Sequence, residues 1–371
     1  MKRTVGIVIN SSNHLDLGQM IRNRSIHTIP IGGKYRLIDF SLSQLVNFSE
    51  DLYVGVIGSY NYRSLVDHLN QGQDWSFSRK SHDLTLLQGD KRAKIGSISR
   101  IALDDFYDNM PFFKKLPPHV DQVIISGSNI VSNINMDKVM ETHRKTNADV
   151  TMLYKKDYQG EILNKEILIK RDQDRITNIY NRENESGEDG EVFIDHLVIK
   201  RELFDQILEE GNKRRVIDFI DLIEDNVSKL DVRGYEVESY VKIINSLNAY
   251  FECSQDMLKC QVQLELFKNK DQQIFTKSKD NHPTVYKKQA LVKQSMIASG
   301  AVINGTVEKS IVFRNVVIEE GAHVKNSIIM QGTKINAGAY VENVITDKYV
   351  TIGQGEYRAN HSDAPIFIMN D

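Results

Sequence analysis

The sequence predicts an α/β protein in two parts. A doubly wound domain with a parallel or mixed sheet spans residues 1–250, a helix and linker span residues 251–283, and a β-helix spans residues 284–371. Two observations carry this. In the first part, short β-branched runs alternate with helical patterns, the rhythm of βαβ units. In the last part the period changes to six. Val312, Ile318, Val324 and Met330 recur at that interval; Ala301 and Val307 precede them, and Ile335 and Val341 follow, with a one-residue slip between sets. Glycines at 300, 305, 321, 332 and 338 punctuate the turns. A six-residue apolar repeat with small turn residues marks a β-helix, each repeat forming one side of a coil, whereas ordinary hairpins demand no such period.

The elements follow in order. Val5–Ile9, Leu52–Ile57, Gln122–Ile125 and Asp149–Tyr154 read as strands, with Phe40–Val46, Tyr62–Leu69 and Met136–Thr146 as helices between them. Asp189–Leu222 adds a strand, Val192–Lys200, and two more helical segments. Glu252–Lys268 reads as one helix, and the polar, lysine-rich Asp271–Pro283 as a linker. Ligands on such sheets bind outside the carboxyl ends of the strands, so the residues just after them matter most.

Composition narrows the function. With 47 basic and 50 acidic residues the net charge is −3, and the basic residues are scattered, which argues against a nucleic-acid stripe. No apolar run approaches a bilayer span, and the basic start leads into a short strand-like stretch with no signal-peptide cleavage pattern. The two cysteines, Cys253 and Cys260, fit no zinc spacing and read as reduced thiols. A cytoplasmic protein is expected.

The stretch after the first strand, NSSNHLDLG at residues 10–18, is unusual. A turn in this place that cradles phosphate needs glycine, because the backbone must approach the phosphate closely and take positive φ. Here Ser11, Ser12, Asn13 and His14 fill it, and Asp16 brings a negative charge.

At IGGKYRLIDFSLS (Ile31–Ser43) the chain closely resembles the glucose-1-phosphate adenylyltransferases, the ADP-glucose pyrophosphorylases of glycogen and starch synthesis. IISGSNI (Ile124–Ile130), DFIDLI (Asp218–Ile223) and the repeat region Ser295–Gly355 resemble later blocks of the family, in the same order. The resemblance implies a nucleotidyltransferase-like domain followed by a left-handed β-helix of hexapeptide repeats. It also implies the reaction of ATP with glucose 1-phosphate to give ADP-glucose and pyrophosphate. Such chemistry is positioning plus charge neutralisation, and it needs a glycine-rich turn, a cation on the phosphates and carboxylates holding Mg²⁺.

Set against the family's motifs, this chain departs at each part. The turn G-G-x-G-T-R-L becomes Ser11–Leu17, with Asp16 in place of the arginine. R-A-K-P-A becomes Arg24–Thr28 and loses its lysine. The metal aspartate of S-G-D becomes Ser128, and that of W-x-D-V-G-T becomes Ile243. The sugar-phosphate lysine falls on Arg182, the S-M-G turn facing the sugar on Phe193-Ile194-Asp195, and the nucleotide-side G-T-A-D-A on Ile101–Asp105.

The resemblance therefore implies the non-catalytic, regulatory type of subunit. It would have no catalytic residue, with Asp16, Ser128 and Ile243 as degenerate positions, and no cofactor of its own, Mg²⁺ being expected only at a catalytic partner. It would associate with itself and with that catalytic subunit, and with neither nucleic acid nor membrane. The alternatives are an enzyme with weak or shifted nucleotidyltransferase activity and a free-standing sugar-phosphate sensor. Arg24, Lys34, Arg36 and Arg182 are candidates for binding a sugar-phosphate or phosphate effector. An ion pair of Arg36 with Asp39 at the strand-to-helix turn weighs equally for Arg36. In the β-helix, Tyr340–Asn343 offers an acid, Glu342, where an effector site would want a base. Asp218 and Asp221 read as caps and surface charges, His27 as packed or exposed, and Trp75 as packing its loop.

Overall fold

The computed structural model describes residues 3–10, 16–22, 24–58, 62–75, 77, 83–89, 99–163, 166–181, 190–361 and 364–369. Strand β1 (Thr4–Ile9) is buried along its whole length, as its apolar β-branched run predicts for a strand covered on both faces. The chain passes through a ribbon of β2 (Pro30–Ile31) and β3 (Tyr35–Arg36) into helix α1 (Leu37–Asn47). Asp39 at the third helical position accepts the Arg36 N–H at 2.9 Å and caps this helix. Helix α1 seats close on β1 at Gly6, where a Cβ would lie 2.9 Å from Leu45 and from Leu52.

Strand β4 (Leu52–Ile57), helix α2 (Arg63–Leu69) and strand β5 (Asp83–Leu87) complete one wing of the sheet. Helices α3 (Leu103–Asp108) and α4 (Met110–Lys115) lead to β6 (Gln122–Gly127), β7 (Ile130–Ser132) and α5 (Met136–Thr146). Strands β8 (Val150–Lys155), β9 (Ile167–Asp172), β10 (Arg175–Asn181) and β11 (Glu191–Lys200) follow, then helices α6 (Arg201–Arg214) and α7 (Phe219–Asn226), β12 (Val232–Glu236) and β13 (Val241–Ile243). The main sheet runs β5-β4-β1-β6-β11-β8-β12-β10-β9. Its β1 side is parallel and β11 runs antiparallel to β6, so the sheet is mixed.

Where the sequence suggests one helix from Glu252 to Lys268, there are two, α8 (Leu247–Asp256) and α9 (Cys260–Phe267). The chain turns at Met257–Lys259, which lets Met257, Val262 and Leu266 all reach one apolar cluster beneath the β-helix. The expected linker is a strap laid on the domain. Phe275 N–H donates to Ser43 Oγ at 2.8 Å, Ser278 N–H to Asp74 at 2.8 Å, and the Asn133 amide to Gln272 C=O at 2.7 Å.

From Val285 onward, three five-stranded parallel sheets form the faces of a coil, consistent with a left-handed hexapeptide β-helix. Inward-pointing residues stack in register: Val307 on Val324 on Val341, and Ile303 on Ile318 on Ile335. These partners stand 15 or 17 residues apart, so some sides are shorter than six residues, which is the physical origin of the slip in the sequence repeat. At a short corner Gly305 leaves no room for a side chain, since a Cβ there would sit 2.3 Å from the Ala322 carbonyl oxygen. One face, with Ile311, Ile328 and Ile345, packs on Phe40, Tyr250 and Met257 and fixes the β-helix to the first part.

Candidate functional site

The crevice lies at the carboxyl ends of β1 and β6, where Ile9 pairs with Gly127. Gly127 is required there because Asp195 of β11 sits against it; a Cβ on Gly127 would be 2.6 Å from that of Asp195. Residues 11–15 of the unusual turn lie outside the described residues. The chain continues at Asp16, whose N–H donates to Asn245 C=O at 2.7 Å and whose C=O accepts from Leu247 N–H at 3.1 Å. Its side chain is exposed and lines an open pocket with Glu161 and Ser246.

Strands β7 and β13 pair Ile130 with Ile243, and Ile244 N–H donates to Asn129 C=O at 2.8 Å, so the segments carrying Ser128 and Ile243 meet. Both residues are fully buried. Ser128 Oγ has no hydrogen-bond partner among the described residues, and Ile243 packs in an apolar cluster with Ile130 and Val241. One hydroxyl and one aliphatic side chain do not make a Mg²⁺ site, which wants carboxylate oxygens. Among the described residues no three His, Cys, Asp or Glu side chains converge to hold a metal.

Instead the crevice holds a buried ion triad. Arg100, just before α3, directs Nε to the Asp195 carboxylate and Nη1 to Glu166 Oε2 at 2.5 Å. The side chains are 4 % (Arg100), 0 % (Asp195) and 0 % (Glu166) exposed. Asn245 Nδ2 donates to the other Glu166 oxygen at 2.8 Å, which ties the triad to the segment that Asp16 bridges. Burial opposes the Arg100 charge, but the two carboxylates together hold its pKa above the ordinary guanidinium value. Asp195 has a left-handed backbone, φ +54°, an unusual conformation for a non-glycine residue. Asp218 caps α7 through Ile220 N–H at 2.9 Å and accepts Ile101 N–H at 3.1 Å; burial raises its carboxyl to about 6. Asp195 draws notice in the sequence only because the resemblance sets Phe193–Asp195 against the family's sugar-facing turn. Arg100 is adjacent to the altered Ile101–Asp105 segment, and Glu166 has no signal of its own.

A second feature lies between the ribbon, the strap and the β-helix. Lys34, Arg36, Lys277, Lys279, Arg314 and Lys348 line one pocket together with His68. Arg36 donates to Ser64 C=O at 2.8 Å and to Ser64 Oγ at 3.1 Å. Asp39 pairs with His68, Nε2 to Oδ1 2.5 Å, so the Arg36–Asp39 ion pair, one of the two readings weighed for Arg36, gives way to a backbone cap. Lys34 Nζ lies 4.8 Å from the centre of the Tyr35 ring. Arg314 Nε is buried without a hydrogen-bond partner among the described residues. Burial and its neighbours lower the pKa of Lys34, Lys279 and Lys348, the last to about 8.

Of the four effector candidates, Lys34 and Arg36 line this pocket and Arg182 lies outside the described residues. Arg24 is paired with Asp347, Nη2 to Oδ2 2.6 Å. The β-helix contributes bases after all, Arg314 and Lys348. Glu342 sits on another face, 2.7 Å from Lys325. Lys277, Lys279, Arg314 and Lys348 escape sequence reading because only the folded strap and coil bring them to Arg36. His27 is buried and shares a hydrogen bond with Ile57 C=O at 2.8 Å, and Trp75 is buried in its loop. Cys253 and Cys260 are both free.

Fold and crevice define a class, a nucleotidyltransferase-type domain joined to a hexapeptide-repeat β-helix. The nucleotidyl transferase family profile matches residues 20–161, and the GlmU-like C-terminal hexapeptide profile matches residues 279–359. The chain is 31 % identical over 318 residues to the glycogen biosynthesis protein GlgD of Geobacillus stearothermophilus, covering 85 % of this chain and 82 % of that one. It is 29 % identical over 329 residues to GlgD of Bacillus subtilis (86 % and 82 %). It is 24 % identical over 334 residues to the glucose-1-phosphate adenylyltransferase of Clostridium perfringens strain 13 (88 % and 82 %). The chain belongs to the ADP-glucose pyrophosphorylase family. Among the described residues no helix is long and apolar enough to cross a membrane.

Proposed function

We propose that this chain is a non-catalytic, regulatory subunit of a cytoplasmic glucose-1-phosphate adenylyltransferase in glycogen biosynthesis, acting through a catalytic paralogue in a hetero-oligomer. The observation that carries the reading is the Arg100–Asp195–Glu166 triad. Protein charges that satisfy one another stand in the crevice at the carboxyl ends of the strands, where the family's chemistry needs space for a sugar phosphate. Ser128 and Ile243 supply no carboxylate for Mg²⁺ beside it. The family resemblance and the two GlgD relatives support the same assignment.

The basic pocket supports an effector role. Its cations come from the ribbon, the strap and the β-helix together, so a phosphate or sugar-phosphate anion bound there touches both parts of the chain. An anion in that place has the means to alter how the subunit presents itself to a partner, as a coupling free energy between sites. The test is co-expression with the catalytic paralogue followed by size-exclusion chromatography with mass measurement, and assay of each purified species. One mixed species, with no ADP-glucose formed by this chain alone, is expected. Two unmixed species, or metal-dependent turnover by this chain that an Arg100 substitution abolishes, would overturn the reading.

A further inference from the structure

We propose that Asp347 is a resident counter-anion of the basic pocket, a carboxylate that competes with the bound anion for Arg24 and thereby ties occupancy of the pocket to the contact between the two parts of the chain. This rests on the anion-binding reading above and names how that site is regulated.

Arg24 belongs to the nucleotidyltransferase part and Asp347 to a turn of the β-helix, so their pair crosses between the two. The side chains are only 13 % and 19 % exposed, so solvent screens the pair weakly. Asp347 is held in place. Its N–H donates to Ile368 C=O at 2.7 Å, its C=O accepts from Thr333 Oγ1 at 3.0 Å, and its Oδ1 accepts Lys348 N–H at 2.8 Å. The next side chain, Lys348, lines the pocket. Asp347 is thus a fixed negative charge next in the chain to a lining lysine, and it and Arg24 both act on the charge of Lys348, Arg24 also on that of Arg36. In that cluster Lys34, Lys279, Arg314 and Lys348 have no ion-pair partner among the described residues. A second anion placed among those cations is repelled by Asp347 and offers Arg24 another acceptor.

Competition fixes the signs of two substitutions. Asp347→Asn removes the repulsion and releases Arg24 to the pocket, so anion binding tightens. Arg24→Ala leaves Asp347 unneutralised, so binding weakens. The double variant returns near the starting affinity. If the pair were only a structural clamp, both single variants would weaken binding.

The experiment is calorimetric titration of the full chain with inorganic phosphate at constant ionic strength. We expect about tenfold tighter binding for Asp347→Asn and about tenfold weaker for Arg24→Ala, each equivalent to about 1.4 kcal/mol. Lys348→Ala combined with Arg314→Ala is the control and abolishes binding. If phosphate fails to bind, or binds unchanged in the control, the anion reading itself fails and the proposal with it. If phosphate binds through Lys348 and Arg314 but Asp347→Asn binds equally or more weakly, the counter-anion role is overturned and the anion reading stands. Should Asp347→Asn fail to fold, Asp347→Ser takes its place with the same expected tightening, and equal or weaker phosphate binding by that variant overturns the proposal.

Discussion

The Arg100 guanidinium lies 2.5 Å from the Glu166 carboxylate, and Asp195 takes its other edge, all three sealed from solvent. Removing one member of a buried ion network costs about 3–5 kcal/mol, because the remaining charges are left unpaired. Arg100→Ala leaves two carboxylates facing each other. Chemical denaturation should show a loss of that size, and the triple change Arg100→Met, Glu166→Gln, Asp195→Asn should regain most of it. A single Arg100→Ala variant as stable as the parent would show that the triad is not formed in solution.

Placing carboxylates at Ser128 and Ile243 should not create an enzyme. Ile243 is fully buried among apolar neighbours, so Ile243→Asp introduces an unpaired carboxylate at a cost of about 3 kcal/mol. With the triad still in the crevice, Ser128→Asp with Ile243→Asp should give a less stable protein and no ADP-glucose. Mg²⁺-dependent turnover by that pair would show that the triad leaves room for substrate.

Acid should destabilise the fold in a defined window. Burial lowers the pKa of His27, His143 and His196 to about 4, against 6.5 when unfolded. Between those values the unfolded chain binds protons that the folded chain does not, so stability falls as pH drops from about 6.5 toward 4. Asp218, raised by burial to about 6 from 3.8, and Asp195 and Asp221, also raised by burial, work the other way over part of the window, while burial lowers His68 as well and adds it to the three histidines. Denaturant midpoints at pH 7 and pH 5 check the sign, and a higher midpoint at pH 5 would contradict it.

Much of the architecture was legible because it depends on local pattern. Val5–Ile9 and Met136–Thr146 carry their periodicity openly, and the six-residue spacing from Val312 to Met330 announces the coil. Asp16, Ser128 and Ile243 draw notice only when set against the family's motifs. The triad and the basic pocket were not legible. Arg100, Glu166 and Asp195 come from three separated segments, and Lys277 gains its meaning only when the strap crosses the domain to reach the Asp67 carbonyl. Contacts of that kind are made by tertiary packing, which no spacing along the chain encodes.

The basic pocket should lose affinity for anions as pH rises through about 8. Burial lowers the pKa of Lys348, with Arg36, Arg24 and Lys279 adding repulsion and Asp347 opposing it. A folded pKa below the unfolded 10.5 means the charged form is penalised in the fold below about pH 8, and stability rises as that charge is lost between 8 and 10.5. A bound anion needs the charge and relieves the penalty. Binding of sulfate, a dianion throughout, should therefore weaken several-fold from pH 7 to pH 9. Lys348→Arg, which stays charged, should flatten the profile. A parent profile already flat would remove Lys348 from the site.

On the reading proposed above, this chain's output passes through another protein. The direct measurement is the initial rate of ADP-glucose formation by the catalytic paralogue at fixed concentration, titrated with this chain, with and without phosphate. No turnover from this chain alone is expected, with a saturable change in the partner's rate, substrate affinity or phosphate response that ends at a fixed ratio of the two chains. A partner whose rate, affinity and phosphate response are all unaltered by excess of this chain would contradict it.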